Sequence, residues 1–499
     1  MKEKFIMTLE FSRIVERRAA AILVVASFFL LFSMLGKREV ENRAEARTIV
    51  TAREMLDRGD WFLPTLNGEP RLEKPPLYYW LVMIAAKISG EVDTFSGRLP
   101  SAISGFLLVL LVWYWEPRRE AKPKRFGDGW LAAMVLLTSP LLFWTSRSSE
   151  IDVNFALLIA CSMRFLFDSL ERPREQSHAP LILAYIFAGF AFLNKGPFGI
   201  LFPFLPLIFL GNGKRPGAWW SHLVGIAIFC LIAFPWFYLI MERLGRAEST
   251  FSREVVFKRF TTQATHKSSF IYYVPTLIGA MAPWSLLLPR ALVLWWKRQA
   301  GPRGRYLFWA VVVNFVVLSA IPSKQDHYLL PLLAPCAVLI GWSLGVREAW
   351  LKPGLFWPDR IGWRKVATTV ALLECLIVPV LIAVGNVRNT RDENVQKIIA
   401  LAKERAEPLV AFKEIDPTVL CGIGHMIPVL PNQNELRKYS EESHKGLLIV
   451  DGRDIKPPIP EFLTRPEIFY DEKGEVDLTL YDIEPTTPTV GAELPKGGG

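Results

Sequence analysis

Residues 41–79 read ENRAEARTIVTAREMLDRGDWFLPTLNGEPRLEKPPLYY. Carboxylates, arginines and aromatics crowd this stretch, yet apolar runs at residues 19–35 and 99–115 flank it. Runs of that length match the roughly 30 Å of hydrocarbon in a bilayer, so the polar stretch between them reads as a loop at a membrane surface. Further apolar runs follow at residues 130–144, 153–167, 181–193, 198–210, 219–240, 272–296, 306–321, 329–344 and 366–384. Together they predict a mostly α, integral membrane protein with about eleven transmembrane helices. A composition of 51% hydrophobic and 12% aromatic residues agrees, and argues against a water-soluble globule.

The net charge of +10 invites a nucleic-acid reading, but the placement of the bases argues against it. They crowd alternate short loops, at residues 118–125, 172–174, 214–215, 297–305 and 347–365, while the intervening loops hold single bases such as Arg147, Lys195 and Lys324. This is the positive-inside pattern. It puts the N-terminus in the cytoplasm, with the first span a retained signal-anchor, and places residues 37–96 and everything beyond 384 on the extracytoplasmic side. The five cysteines show neither a disulfide framework nor zinc spacing. No glycine-rich phosphate loop is present, so no nucleotide is expected.

Within the opening stretch, residues 41–58 have helical periodicity and Gly59 marks a stop. Asn67-Gly68 is a turn signal, and Pro75 and Pro76 suit the start of a second helix rich in Tyr and Trp. Two juxtamembrane helices on the external surface are expected. A later external loop spans residues 242–270. The domain plan is a membrane domain over residues 1–385, a small soluble α/β domain over 386–483 and a disordered tail over 484–499. The soluble domain is read from a helical stretch followed by short apolar runs.

Ionisable residues gather at the external ends of the spans and not at their middles, where a pump or ion-coupled carrier needs them. The clusters are Glu41, Glu45 and Arg47; Glu73 and Lys74; Glu150 and Asp152; and Lys324, Asp326, His327 and Tyr328, with Arg259 and His266 beside them. A carboxylate pair can deprotonate and orient a nucleophile, while Lys and Arg can hold a phosphate leaving group. Each signal alone has a plainer reading. Glu41 and Glu45 fit the solvated edge of a surface helix, Glu73-Lys74 a local ion pair, and Asp152 a helix-dipole partner. His266 fits a surface histidine, and Lys324 and Tyr328 fit interfacial anchors.

The stretch EARTIVTAREMLDRGDWFLPTLNGEPRLEKPPLYYWL resembles the first external loop of polytopic glycosyltransferases, the group of lipid A aminoarabinose transferases and protein O-mannosyltransferases. Further patches follow in the family's order: SRSSEIDVNFALL, LNKGPFGILFP, VVFKRF, FIYYVPTLIGAMAPWSLLLP and IPSKQDHYLLPLLAP. The likeness covers most of residues 20–345. It implies a C-type glycosyltransferase fold in a bacterial-type inner membrane. The implied donor is a polyprenyl-phosphate-linked sugar, transferred with inversion to a lipid A-like lipid, a glycan or a protein.

Carried across by resemblance, Lys74 and Arg259 bind the lipid phosphate with Tyr328 and Lys324 nearby. Arg47 matches an arginine of the first-loop helix, and Asp152 matches a carboxylate of the cavity. The family's helix opens Asp-Glu where this chain has Ala44-Glu45. The base is therefore expected to be Glu45 assisted by Asp152, with Glu41 from the same helical face or Asp152 alone as the alternatives. No cofactor is certain. A divalent metal is left open, with Glu73, Glu254 and His266 as candidate ligands. The alternatives from other classes are a polytopic lipid or solute transporter and a non-catalytic lipid-binding relative.

Overall fold

The computed structural model describes residues 21–40, 42–115, 128–170, 172–211, 216–244, 269–297, 302–345, 390–442, 445–451, 459–470 and 476–484, with isolated helical positions between 366 and 377. Glu41, Glu254, Arg259 and His266 lie outside the described residues, as do most of the expected span at 366–384 and the tail beyond 484. The chain divides into two compact units. One holds Met1–Arg38, Met55–Thr65 and Pro70–Gly385; the other holds Glu39–Glu54, Leu66–Glu69 and Asn386–Gly499.

The first part of the chain forms α1 (Ala21–Phe32), α2 (Arg43–Asp57), a short hairpin of β1 (Thr65–Leu66) and β2 (Glu69–Pro70), α3 (Leu77–Ser89) and α4 (Thr94–Trp113). Then come α5 (Asp128–Leu137), α6 (Pro140–Ser146), α7 (Ile151–Ser169), α8 (His178–Lys195), α9 (Phe198–Phe204), α10 (Trp219–Ala233) and α11 (Pro235–Leu244). Local chemistry sets several of these bounds. Asp93 opens α4 with a capping box: its carboxylate accepts from the Ser96 backbone N–H at 2.8 Å, and the Ser96 hydroxyl accepts from that of Asp93 at 2.8 Å. Pro140 cannot continue α5, so the expected span at 130–144 is two helices bent by 64°. A second bent pair, Phe270–Ala280 and Trp284–Trp296, turns through 111°.

Among the described residues five helices are long and apolar enough to cross a membrane, or seven if each bent pair counts as one span. They differ in what they face. Asp326–Leu344 is 78% buried within the bundle, whereas Trp219–Leu244 is 28% buried and presents Trp219, Leu231 and Tyr238 outward. A helix apolar on every side with most of that surface exposed has lipid as its natural solvent. Small residues allow the closest approaches: a side chain at Gly225 would run into the Tyr185 ring, and one at Gly341 into the Ala132 backbone.

Two buried arginines close the end of α1. Arg147 donates to the carbonyls of Leu30 and Ser33, both at 2.7 Å, and Arg98 donates to those of Leu35 at 2.9 Å and Arg38 at 2.7 Å. Leu30 lies in the last turn of α1, whose carbonyls a helix leaves unsatisfied, and the other three belong to the turn that follows it.

In the second unit a sheet runs in the order β4-β3-β5-β7-β6. Its strands are β3 (Leu409–Phe412), β4 (Val429–Leu430), β5 (Gly446–Asp451), β6 (Leu463–Tyr470) and β7 (Val476–Ile483). β3 pairs in parallel with β4 and β5, while β7 is antiparallel to β5 and β6. One face packs on the helices Thr390–Arg405 and Pro417–Ile423 and takes in Val50 of α2 and Leu66 of β1. The other face packs on Leu436 and Tyr439 of Gln433–Glu441.

Arg147→Ala removes two charge-assisted bonds and leaves buried carbonyls unpaired. It should destabilise the bundle by about 2–3 kcal/mol, read as a fall in the melting temperature of the detergent-solubilised protein, with Arg147→Lys recovering only part of the loss.

Candidate functional site

The first unit brings a carboxylate and several cations to one place. Asp152 stands in the first turn of α7 and Lys195 is the last residue of α8. The two side chains form an ion pair, and the residues are only 4% and 7% exposed. Each charge sits at the helix end that favours it, an anion at an N-terminus and a cation at a C-terminus. Nε2 of His327 lies 3.7 Å from the other Asp152 oxygen. The Lys195 ammonium also stands 4.3 Å from the centre of the Tyr328 ring. Lys74 adds a positive charge that acts on both Asp152 and His327.

A buried polar ladder holds this pair in register. Asn154 donates to Asn194 at 2.8 Å, Asn194 donates to the Ile151 carbonyl at 3.0 Å, and Ser104 of α4 donates to Asn154 at 3.1 Å. Both asparagines are almost inaccessible, at 5% and 0% exposure. They flank Asp152 and Lys195 in sequence, so the ladder fixes which carboxylate meets which ammonium. A second set ties α3 and α4 to the start of α7: Tyr78 bonds Ser101 at 2.6 Å, and Ser101 donates to the Glu150 carbonyl at 2.8 Å.

Beside the ion pair lies a partly open cavity, about 510 Å³ when the solvent space at its mouth is included, lined by Asp152, Phe155, Lys195, Phe198, Phe202, Leu318, Ile321, Ser323, Tyr328 and Pro331. Its walls are aromatic and aliphatic, and its ionic groups are Asp152 and Lys195. Such a space suits an amphiphile whose charged head reaches the ion pair while its chain lies on apolar walls. The loop bearing Ser323 is held from outside the cavity: Tyr273 donates to the Gln325 carbonyl at 3.2 Å, and Tyr272 donates to Asp326. Lys324 is 4% exposed and donates to the Ile321 carbonyl at 2.6 Å. Burial lowers its pKa from the ordinary lysine value.

Of the residues expected from sequence, Asp152 and Tyr328 meet here, Lys74 is near enough to act electrostatically on Asp152 and His327, and Lys324 stands on the adjoining loop. Glu73 instead pairs with Arg71 at 3.1 Å and is half exposed. Among the described residues no group of three His, Cys, Asp or Glu side chains converges to hold a metal. Glu45 and Arg47 belong to the second unit. Glu45 is fully buried, not the solvated helix edge that its spacing also suggested. Lys195 was absent from the residues expected to act, and His327 was named in a cluster without a role of its own. The signal for Lys195 was available, in a lone lysine closing an apolar run just before Gly-Pro. Gly196 there leaves the helix with φ 89°, a conformation that favours glycine.

Comparison with known proteins follows the same lines. The dolichyl-phosphate-mannose-protein mannosyltransferase family matches residues 73–239. An undecaprenyl phosphate-alpha-4-amino-4-deoxy-L-arabinose arabinosyl transferase of Serratia proteamaculans is 29% identical over 92% of this chain and 87% of its own. The enzyme of that name from Pectobacterium atrosepticum is 30% identical over 66% of this chain and 60% of its own. Among solved structures, ArnT from Cupriavidus metallidurans bound to undecaprenyl phosphate superposes with a TM-score of 0.73, at 17% identity, over 95% of this chain and 99% of its own. The archaeal oligosaccharyltransferase of Archaeoglobus fulgidus, tethered to an acceptor peptide, gives 0.53 at 13% identity over 95% of this chain and 74% of its own. The chain shares the fold of these integral membrane proteins and resembles the C-type glycosyltransferases of the aminoarabinose transferase and protein mannosyltransferase group.

Proposed function

We propose that this protein is a membrane glycosyltransferase that moves a sugar from a polyprenyl-phosphate donor to an acceptor on the extracytoplasmic side, with inversion. The observation that carries the reading is the apolar cavity ending on the Asp152–Lys195 pair with Tyr328 beside it. Two opposite charges in an apolar wall cost desolvation energy and add little stability, so their presence points to use. A polyprenyl phosphate matches both parts of the site. The relatives' names supply the sugar class, an aminoarabinose or a related pentose or hexose. The acceptor class is a lipid A-like lipid, with a glycan or a protein as the wider range.

In this reading Lys74, Lys324 and Arg259 bind the donor phosphate, with Tyr328 and Arg47 shaping its surroundings. Lys195 keeps Asp152 ionised, and its ammonium meets the negative charge that builds on the leaving phosphate. The acceptor oxygen attacks the anomeric carbon from the face opposite the phosphate. The carbon–oxygen bond to the phosphate breaks, and the phosphate leaves with the electron pair. A hydroxyl acceptor gives its proton to a carboxylate, Asp152 or Glu45, with Glu41 as the alternative. The membrane domain has about eleven spans in a bacterial-type inner membrane, with the N-terminus cytoplasmic and the C-terminal α/β domain external.

The test is to supply purified protein with undecaprenyl-phosphate-linked 4-amino-4-deoxy-L-arabinose and measure free undecaprenyl phosphate. Release is expected from the wild type and lost in both Lys74→Ala and Glu45→Gln, each folded normally. Turnover like the wild type's in either variant removes that residue's role. Flux of donor across vesicles without release favours a transporter.

The ion pair separates folding from chemistry. Lys195→Met strands a buried carboxylate and should cost roughly 3–5 kcal/mol of stability. The double variant Asp152→Asn with Lys195→Met should regain the melting temperature and still release no undecaprenyl phosphate.

Lys324 gives a pH test. Its ammonium is present at neutral pH and is lost as pH rises through its lowered pKa. Donor KM should therefore begin to rise at a lower pH than an ordinary lysine would set. Lys324→Arg, which stays charged, should abolish that rise.

A further inference from the structure

The second unit contains a polar junction that the transfer chemistry does not use. Glu54 stands in the last turn of α2 and is 9% exposed. Its carboxylate accepts from two successive backbone N–H groups, Asn67 at 2.6 Å and Gly68 at 3.1 Å. These residues form the tip of the β1–β2 hairpin, with φ of 55° and 83°. That is the pairing of left-handed conformations that Asn-Gly supplies in a tight hairpin turn. The tip holds the Asn67 side chain against Ile427 of the sheet domain. Its Nδ2 donates to the Ile427 carbonyl at 2.8 Å and its Oδ1 accepts the Ile427 N–H at 2.9 Å, across 360 residues of sequence. An amide is the side-chain group that offers a donor and an acceptor side by side for such a two-point match.

The rest of α2 is anchored to the same domain. Arg43 pairs with Asp416 at 2.8 Å, and Asp416 also caps the helix Pro417–Ile423 through the Thr418 N–H at 2.9 Å. Arg53 donates to the Cys421 carbonyl at 3.4 Å, and Val50 enters the domain's apolar core. The helix held in this way carries Glu45 and Arg47, and the clasped hairpin leads along the chain to Lys74.

We propose that Glu54 and Asn67 are positioning residues of the transferase, forming a clasp through which the C-terminal sheet domain fixes α2 and the hairpin leading to Lys74. The domain is then a working part of the active enzyme, although neither residue touches substrate. This rests on the transferase reading above.

The experiment uses the full-length protein in detergent, with undecaprenyl-phosphate-linked 4-amino-4-deoxy-L-arabinose as probe. Asn67→Ala should raise donor KM and lower kcat, reducing kcat/KM at least tenfold, and should speed amide hydrogen exchange at the hairpin tip. A covalent clasp, Asn67→Cys with Ile427→Cys, should work within twofold of the wild type when oxidised. On adding reductant its activity should fall at least tenfold, while its melting temperature stays that of a folded protein. Wild-type kinetics in Asn67→Ala or in the reduced double variant overturn the proposal. So does a loss in Asn67→Ala when the oxidised clasp fails to restore activity. A wild-type chain that releases no undecaprenyl phosphate overturns the transferase reading and the positioning role together, whereas hydrogen exchange still reads whether the clasp closes.

Discussion

The contact on which the site depends is the ion pair between Asp152 and Lys195. Neither side chain is stable alone in a wall of Phe155, Phe198 and Phe202. Their mutual attraction fixes the start of α7 against the end of α8, two helices that pack closely on each other. The asparagine ladder then becomes necessary, because a slip between these helices would separate the charges. The dipoles of both helices reinforce the arrangement. A chemical site and a packing constraint are here the same object.

That constraint shapes what can enter. A freely soluble sugar nucleotide has no apolar segment to lie along the cavity, and a plain hydrocarbon has nothing to offer the ammonium of Lys195. An amphiphile with an anionic head satisfies both. The cations around Asp152 outnumber it: Lys195 in contact, Lys74 within electrostatic range, Lys324 on the neighbouring loop. In the proposed reading, the donor phosphate would meet attraction at a place that already holds a carboxylate.

Much of this was legible in the amino-acid sequence, and the reasons differ by element. The helix read at residues 41–58 is found at Arg43–Asp57, Gly59 adopts φ 65° past its end, and Asn67-Gly68 makes the turn, because each depends on local conformational preference. The apolar spans were visible because lipid demands long unbroken hydrophobic runs. Their bends were not, since Pro140 and Pro283 sit inside stretches whose hydropathy does not change. Asp152 was marked by its place at the head of a span. Lys195 passed as an ordinary loop base, and only the three-dimensional pairing of α7 with α8 shows it as the partner. The burial of Glu45 was equally hidden: helical spacing placed it on an edge, and the residues that cover an edge come from elsewhere in the chain.

The discontinuous second unit also has a consequence for how the molecule is made. Asn67 and its partner Ile427 are separated by 360 residues. At a synthesis rate of about 5–20 residues per second, the hairpin tip waits roughly 20–70 s for the strand-bearing segment to emerge. Over that interval α2 lacks Asp416, the Cys421 carbonyl and the apolar core that receives Val50. The hairpin likewise lacks the backbone that Asn67 grips. Completion of the first loop is thus among the last events of biogenesis, and a nascent chain interrupted before its C-terminal domain holds its membrane helices without a finished loop.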